Sequence, residues 1–548
     1  MRFRNEHRSR GVLAAAAGLA VLAAGGGCDI GRASAFQETL PVFELAAPDT
    51  AARLDALFRR FGITGPSVRR GDRLVKETET KVGETFIASG GVWLADTARL
   101  WKPSACPTAL PDSAAAVALA DAWVDTAALL PRLTRDTFRI VKRTAPTLAA
   151  WYDVRTRSRT DCAIHRQVSY EVEVKIPGTN NFLPMIGGGG RFTLVLGDSA
   201  RTLAFSGVWR PVVRVASRER LISRAAVDRQ FRSYTRGLRV ASVERTLAYY
   251  SAPAAESERL LYPVWVYSGT FIVGTDTVEM RSITFPATRS SRAPPPLATA
   301  AMRAPSTPPP GGAVAGGDET EQPRFESGAE WVKLLPNAKL NAQGFLFSLD
   351  SAGWKTNFKK GGSAALLTDW IENDDAWVDA ADFVFYAGHA SEIGWQLYPG
   401  VKELLSFRVT GTLQDSQGDL WGQQDLEWLI IAACGPLQDP QVTPGASSAL
   451  DRWAPAFDGL HLLMGYASRS YDSQAEGRTV VKYAREGLPL VDAWLRTAKE
   501  LQGPRVYAAV MYAVGPSGSA RNDHLWGVGS VSPDFRPPKN LVLIWNPS

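Results

Sequence analysis

The chain has 548 residues, room for two or three ordinary domains, and its 45% hydrophobic and 21% charged content is that of a globular protein, not a disordered one. The net charge of +6 is small for this length and spread over scattered arginines, which argues against nucleic acid as a partner. There is no P-loop, dinucleotide fingerprint or HExxH zinc helix, so the sequence calls for no cofactor and no metal. GGGG at 187–190 reads as a loop before the strand-like RFTLVL.

Residues 1–28 have the layout of an export signal. Arg2, Arg4, Arg8 and Arg10 precede a short apolar run, GVLAAAAGLAVLAA (11–24), which ends in GGGC. The run is too short to span a bilayer comfortably. Two processing routes stay open. Cys28 after small residues resembles a bacterial lipoprotein box, with Gly25 where leucine is usual, and would carry a lipid anchor. The other route is ordinary cleavage after Ala33-Ser34-Ala35. Both place the protein outside the cytoplasm, in the bacterial cell envelope or secreted, with a membrane contact only through the lipid. In an oxidising compartment cysteines pair. Cys106 and Cys162, in KPSACPTAL and SRTDCAIHR, suit a surface disulfide, and Cys434 is left as the odd thiol.

The segment 36–285 reads as an α+β domain. TAARLDALFRRFGI (50–63) has helical spacing, and SYEVEVKI (169–176), RFTLVLGD (191–198) and YPVWVYSGTFIVG (262–274) alternate like half-exposed antiparallel strands. It resembles the propeptide-like domains that precede some secreted bacterial peptidases. His165 reads as a surface or turn residue. Residues 286–324 are rich in Pro, Ala and Gly, with nine of the chain's 35 prolines, and read as an extended disordered linker.

The segment 325–548 has another rhythm. GFLFSLD (344–350), DFVFYAG (382–388), EWLIIAAC (427–434), GLHLLMGY (459–466) and RVYAAVMYAV (505–514) read as strands. SAALLTDWIEN (363–373) and EGRTVVKYAREGLPLVDAWLRTAKEL (476–501) read as helices, the latter as two joined at 487–489. Near-continuous apolar strands between helices predict a mainly parallel α/β sheet. In such a sheet functional groups collect beyond the carboxyl ends of the strands. His389 follows one strand and Cys434 closes another, so adjacent parallel strands would bring imidazole and thiol out side by side. That pairing suits covalent thiol catalysis: the thiolate attacks a carbonyl, the imidazole handles protons, and backbone N–H groups stabilise the oxyanion.

At these residues the sequence resembles the cysteine peptidases of the caspase–hemoglobinase fold. Their signature is an apolar strand ending in His-Gly, then one ending in Ala-Cys; DFVFYAGHA and EWLIIAAC are similar in order and separation. The likeness covers about 200 residues of the C-terminal part and none of the N-terminal part. It implies a caspase-like catalytic domain with Cys434 as nucleophile, His389 as general acid/base, and backbone N–H groups of Ala390 and Cys434 in the oxyanion hole. Ala390 stands where the family has glycine, and would be strained if that position needs a positive φ. Gly388 and Gly435 flank the pair.

Other groups read more plainly. His461 should lie at the opposite edge of the sheet as a packed histidine, and His524 falls in a polar loop. The acidic run 372–382 lacks calcium-loop spacing and reads as a solvated helix end with Trp377 turned inward. QDSQGDLWGQQDLE (414–427) and SRSYDSQ (468–474) flank the expected cleft. Their Asp419, Asp425 and Asp472 read first as solvated loop carboxylates and second as selectors of a basic substrate side chain. The expected function is an exported cysteine endopeptidase acting on protein or peptide substrates. The alternative is an inactive relative of that fold, an envelope binding or interaction protein.

Overall fold

The computed structural model describes residues 39–48, 52–126, 137–291, 325–398, 403–406 and 421–548. The export signal with Cys28, the linker beyond Ser291 and Asp419 lie outside the described residues.

In the N-terminal half, strands form over the predicted 169–176, 191–198 and 262–274. The first and third lie in β2 (Arg159–Lys175) and β3 (Leu260–Val273); β1 (Phe138–Asp153) and β4 (Asp276–Pro286) are further strands not singled out from the sequence. β1 pairs β2 and β3 pairs β4, both antiparallel. The expected helix is present at Ala52–Arg60. Cys106 and Cys162 form a disulfide.

The C-terminal half begins with β5 (Glu326–Trp331), helix α1 (Ala338–Asp350) and β6 (Lys355–Gly361), followed by β7 (Phe383–Ala387). Two short strands, β8 (Ala390–Ser391) and β9 (Gly394–Leu397), come next, and then β10 (Trp428–Ala432) and β11 (Leu462–Tyr466). Helices α2 (Glu476–Arg485) and α3 (Leu490–Leu501) precede β12 (Tyr507–Gly515) and β13 (Asn540–Pro547). Strands β6, β5, β7, β10 and β11 are parallel neighbours in that order. Every residue of β7, β10 and β11 is buried, as expected of strands covered on both faces.

The predicted fold class, a mainly parallel caspase–hemoglobinase-like α/β domain behind an α+β domain, is not what forms. Strands make up 41% of the described residues and helices 20%. The parallel strands are one part of a larger mixed sheet, in which β12 pairs antiparallel with β11 and β13. The sheet then crosses into the N-terminal half, because β13 pairs antiparallel with β1 from Asn540↔Asp153 to Trp545↔Leu148. An apolar run reports burial on two faces, not strand direction, which is why RVYAAVMYAV misleads. GFLFSLD is not a strand but the end of α1. The buried Ala342, Phe345, Leu346 and Leu349 lie at i, i+3, i+4 and i+7, a helical face hidden in a short apolar run. The stretch 363–373 forms a 3-10 turn at Gly362–Ala364 and a short helix at Thr368–Ile371 instead of one helix, whereas 476–501 forms the two helices expected.

Candidate functional site

β7 and β10 are adjacent and parallel, with Ala387 opposite Ala432, so His389 and Cys434 each stand two residues beyond matched strand ends. The turns there need their glycines. A Cβ on Gly388 would lie 2.0 Å from the Tyr386 Oη, and Gly435 has φ +68°. Ala390 has no positive φ and is unstrained; it pairs with Trp395 on one side.

On its other side Ala390 pairs with Glu279 of β4, so a strand of the N-terminal half lies across the carboxyl ends of the parallel strands. His389 is 1% exposed and Cys434 fully buried. The His389 Nδ1 accepts the Arg281 backbone N–H at 3.4 Å, the ring bonds the Leu334 backbone, and Phe271 meets its face edge-on. The Cys434 Sγ accepts the Ser470 N–H at 3.4 Å. Among the described residues no hydrogen bond joins His389 to Cys434.

Both groups are held in their neutral forms. Burial, and next the carboxylate of Glu279, push the Cys434 thiol up to about 12. Burial, and next the Arg281 charge, push His389 down to about 3. Glu279, which opposes the thiolate, and Arg281, which opposes the imidazolium while favouring the thiolate, both come from β4.

Arg281 ties β4 to the site through its two terminal nitrogens, while its Nε has no hydrogen-bond partner among the described residues. β4 carries one extra residue against β3 between the pairs Gly269↔Met280 and Tyr267↔Ile283, a bulge that re-aims side chains locally. The Arg281 guanidinium donates to the Ala432 carbonyl at 2.7 Å, to the Tyr471 carbonyl, and to both oxygens of Glu476 at 3.0 and 2.7 Å. Glu476, the first residue of α2, also accepts from Tyr466 Oη at 2.5 Å, Asn341 Nδ2 at 2.6 Å and Gln502 Nε2 at 2.7 Å. Asp472 accepts the Asn337 N–H at 3.0 Å; burial raises its carboxyl to about 7, although Arg281 pulls the other way. Thus 468–474 does line the site, through Ser470, Tyr471 and Asp472. Sequence reasoning missed Arg281, Glu279 and Glu476. For Glu279 and Arg281 the only signal was charged residues inside the strand-like DTVEMRSITF.

The remaining candidates lie elsewhere. His165 is a buried mid-strand residue of β2, not a surface or turn residue. Its Nε2 accepts the Trp101 N–H at 3.1 Å, and burial lowers it to about 4. His461 precedes β11 at the opposite edge, with its Nδ1 2.6 Å from Asp523 Oδ2. His524 sits in a loop, where its N–H bonds Ser530. In the run 372–382, Asp379 accepts the Gly422 and Gln424 N–H groups at 2.6 and 3.0 Å, and the half-buried Trp377 ring lies under Lys360. Asp382, Asp425 and Glu427 bring ligand atoms within 4.8 Å of one another at that opposite edge. Burial, then the neighbouring carboxylates, raises Glu427 well above the usual range. An acidic cluster alone does not make a metal site. Among the described residues no helix is long and apolar enough to cross a membrane.

Residues 328–547 match a family described as "Domain of unknown function (DUF6345)". No curated protein matches. Among solved structures, an uncharacterized protein from Eubacterium rectale ATCC 33656, determined at 1.45 Å, is 8% identical, covering 46% of this chain and 86% of its own, with a TM-score of 0.28. Neither similarity points to cysteine peptidases.

Proposed function

We propose that His389 and Cys434 are the working pair of an exported cysteine endopeptidase held latent by its own strand β4. The observation that carries this reading is the register of β7 on β10, which puts the two residues at equivalent positions beyond adjacent parallel strands. With β4 displaced, Glu279 leaves the thiol and the Arg281 N–H leaves the imidazole. The Cys434 thiol then passes its proton to His389 and its sulfur bonds the peptide carbonyl carbon. Backbone N–H groups of Ala390 and Cys434 receive the oxyanion. His389 returns the proton to the leaving amine as the C–N bond breaks, and water hydrolyses the thioester. Export, with a lipid on Cys28 or cleavage after Ala35, belongs to the same proposal. The Cys106–Cys162 disulfide supports it, since such bonds persist in oxidising compartments. The mass of the mature amino terminus distinguishes the two routes, and an unprocessed chain in the cytoplasm would refute both.

The test compares peptide hydrolysis by the full chain and by Arg281→Ala, which weakens the hold of β4. The expected result is a silent native protein and an active variant that Cys434→Ala or His389→Ala silences. If Cys434 becomes readily alkylated in Arg281→Ala while no peptide is cleaved, the peptidase reading fails. The complete burial of Cys434 favours a second reading, a non-catalytic envelope binding protein, and that outcome would select it.

A further inference from the structure

The segment 279–282 does more than cover the site; it is bonded there as a bound peptide would be. Glu279 pairs antiparallel with Ala390 on one side. On the other, Ser282 forms a parallel bridge with Tyr471: its N–H reaches the Ser470 carbonyl at 2.8 Å, and its carbonyl accepts the Asp472 N–H at 2.9 Å. The segment thus runs between 389–391 and 470–472, with main-chain bonds to both, past His389 and Cys434. Adding an extended chain to exposed strand edges is a general mode of peptide recognition, in which the main chain gives affinity and side-chain pockets give specificity.

The pocket here is specific in its chemistry. Arg281 is 1% exposed, and every acceptor bonded to its guanidinium belongs to the C-terminal half: Glu476, Ala432 O and Tyr471 O. Glu476 is in turn oriented by Tyr466, Asn341 and Gln502, so the carboxylate is built into place before any cation arrives. A planar donor fork facing a carboxylate and two carbonyls fits a guanidinium; an ammonium is a single point of charge and fits less well.

We propose that the groove between 389–391 and 470–472 is a binding site for an extended peptide segment bearing an arginine, and that residues 279–282 are its built-in occupant. This deepens the proposed function by naming the side chain the site selects, but binding itself requires no turnover. An arginine-bearing segment from another protein competes with β4 for the same bonds.

The test uses the full chain with Cys434→Ala, so that chemistry plays no part, with and without Arg281→Ala. The small probe is ethylguanidinium, with ethylammonium as control; the peptide probe is fluorescein-labelled VEMRSIT, this chain's own residues 278–284. Ethylguanidinium should raise the Tm of the Arg281→Ala protein saturably, at concentrations about ten-fold below those ethylammonium needs, and should lose that advantage when Glu476→Gln is added. If the Arg281→Ala protein does not fold unaided, its refolded yield in the two ions is read instead, with the same expectation. VEMRSIT should bind the Arg281→Ala protein at least about ten-fold more tightly than it binds the protein retaining Arg281, and more tightly than does the peptide with alanine in place of arginine. Equal responses to the two ions, or equal binding of the two peptides, would overturn the proposal. Selective binding without cleavage once Cys434 is restored would remove the peptidase reading and leave the pocket standing.

Discussion

Arg281 and Glu476 are both out of reach of water, so each depends on the other for solvation. A buried ion pair is weak evidence of net stabilisation, but removing one partner strands a charge and typically costs about 3–5 kcal/mol. Arg281→Ala should therefore lower stability in urea by an amount of that order, and adding Glu476→Gln should recover part of it. Strictly additive losses would mean that the two side chains are not coupled. His461 presents the reverse electrostatics from His389. Burial alone would lower it, but the hydrogen bond to Asp523 and the charges of Asp523 and Asp534 win and hold it up at about 9. Because the folded value lies above the ordinary 6.5, the stabilisation is complete below pH 6.5 and disappears as pH rises through about 9. The stability advantage of the native protein over His461→Gln should shrink by about 3 kcal/mol between pH 6 and pH 10, as a shift of that size requires. An advantage that is constant with pH would show that the imidazole is neutral throughout.

At the scale of the element, the position of Arg281 follows from one extra residue in β4. Deleting Ser282 restores one-to-one pairing with β3, so the bulge that re-aims Arg281 is gone, and it removes the residue whose main chain bonds Ser470 and Asp472. β4 then loses its bridge to 470–472, and Arg281 leaves its pocket. Iodoacetamide should then label Cys434 at least about ten-fold faster in otherwise folded protein, and labelling as slow as in the native chain would show that β4 is not the cover. The sequence makes one part of this site legible and hides the other for a physical reason. Two apolar runs ending in His389 and Cys434 are local patterns, and local patterns report burial and strand ends. They do not report direction, so the antiparallel β12 reads like its parallel neighbours, and they do not separate a short buried helix such as α1 from a strand. The role of Arg281 could not be read from a charge inside a strand-like stretch. Its carboxylate lies 195 residues further on, and the bulge that turns it inward leaves the surrounding alternation looking ordinary.

At the scale of the molecule, the halves on either side of residues 292–324 share their hydrogen bonding. β13 fills the space between β12 and β1, with seven of its eight residues buried, and β4 closes the carboxyl edge of β7 and β10. The described residues of 39–548 form one compact unit. Expressed alone, 325–548 would expose one whole edge of β13, an unpaired apolar strand of the kind that aggregates. It would also leave Glu476 buried without its cation. Neither defect can be relieved locally, because the missing partners, β1 and Arg281, are both in 39–291. The isolated C-terminal half should therefore be recovered as aggregate, and co-expression of 39–291 as a separate chain should return a soluble one-to-one complex, read by gel filtration. The full chain should unfold in one transition, whether followed by far-UV signal or by Cys434 labelling. A soluble, monomeric 325–548 with native-like spectra would show that the C-terminal half stands without its cover, and β4 would then be a detachable ligand instead of a structural partner.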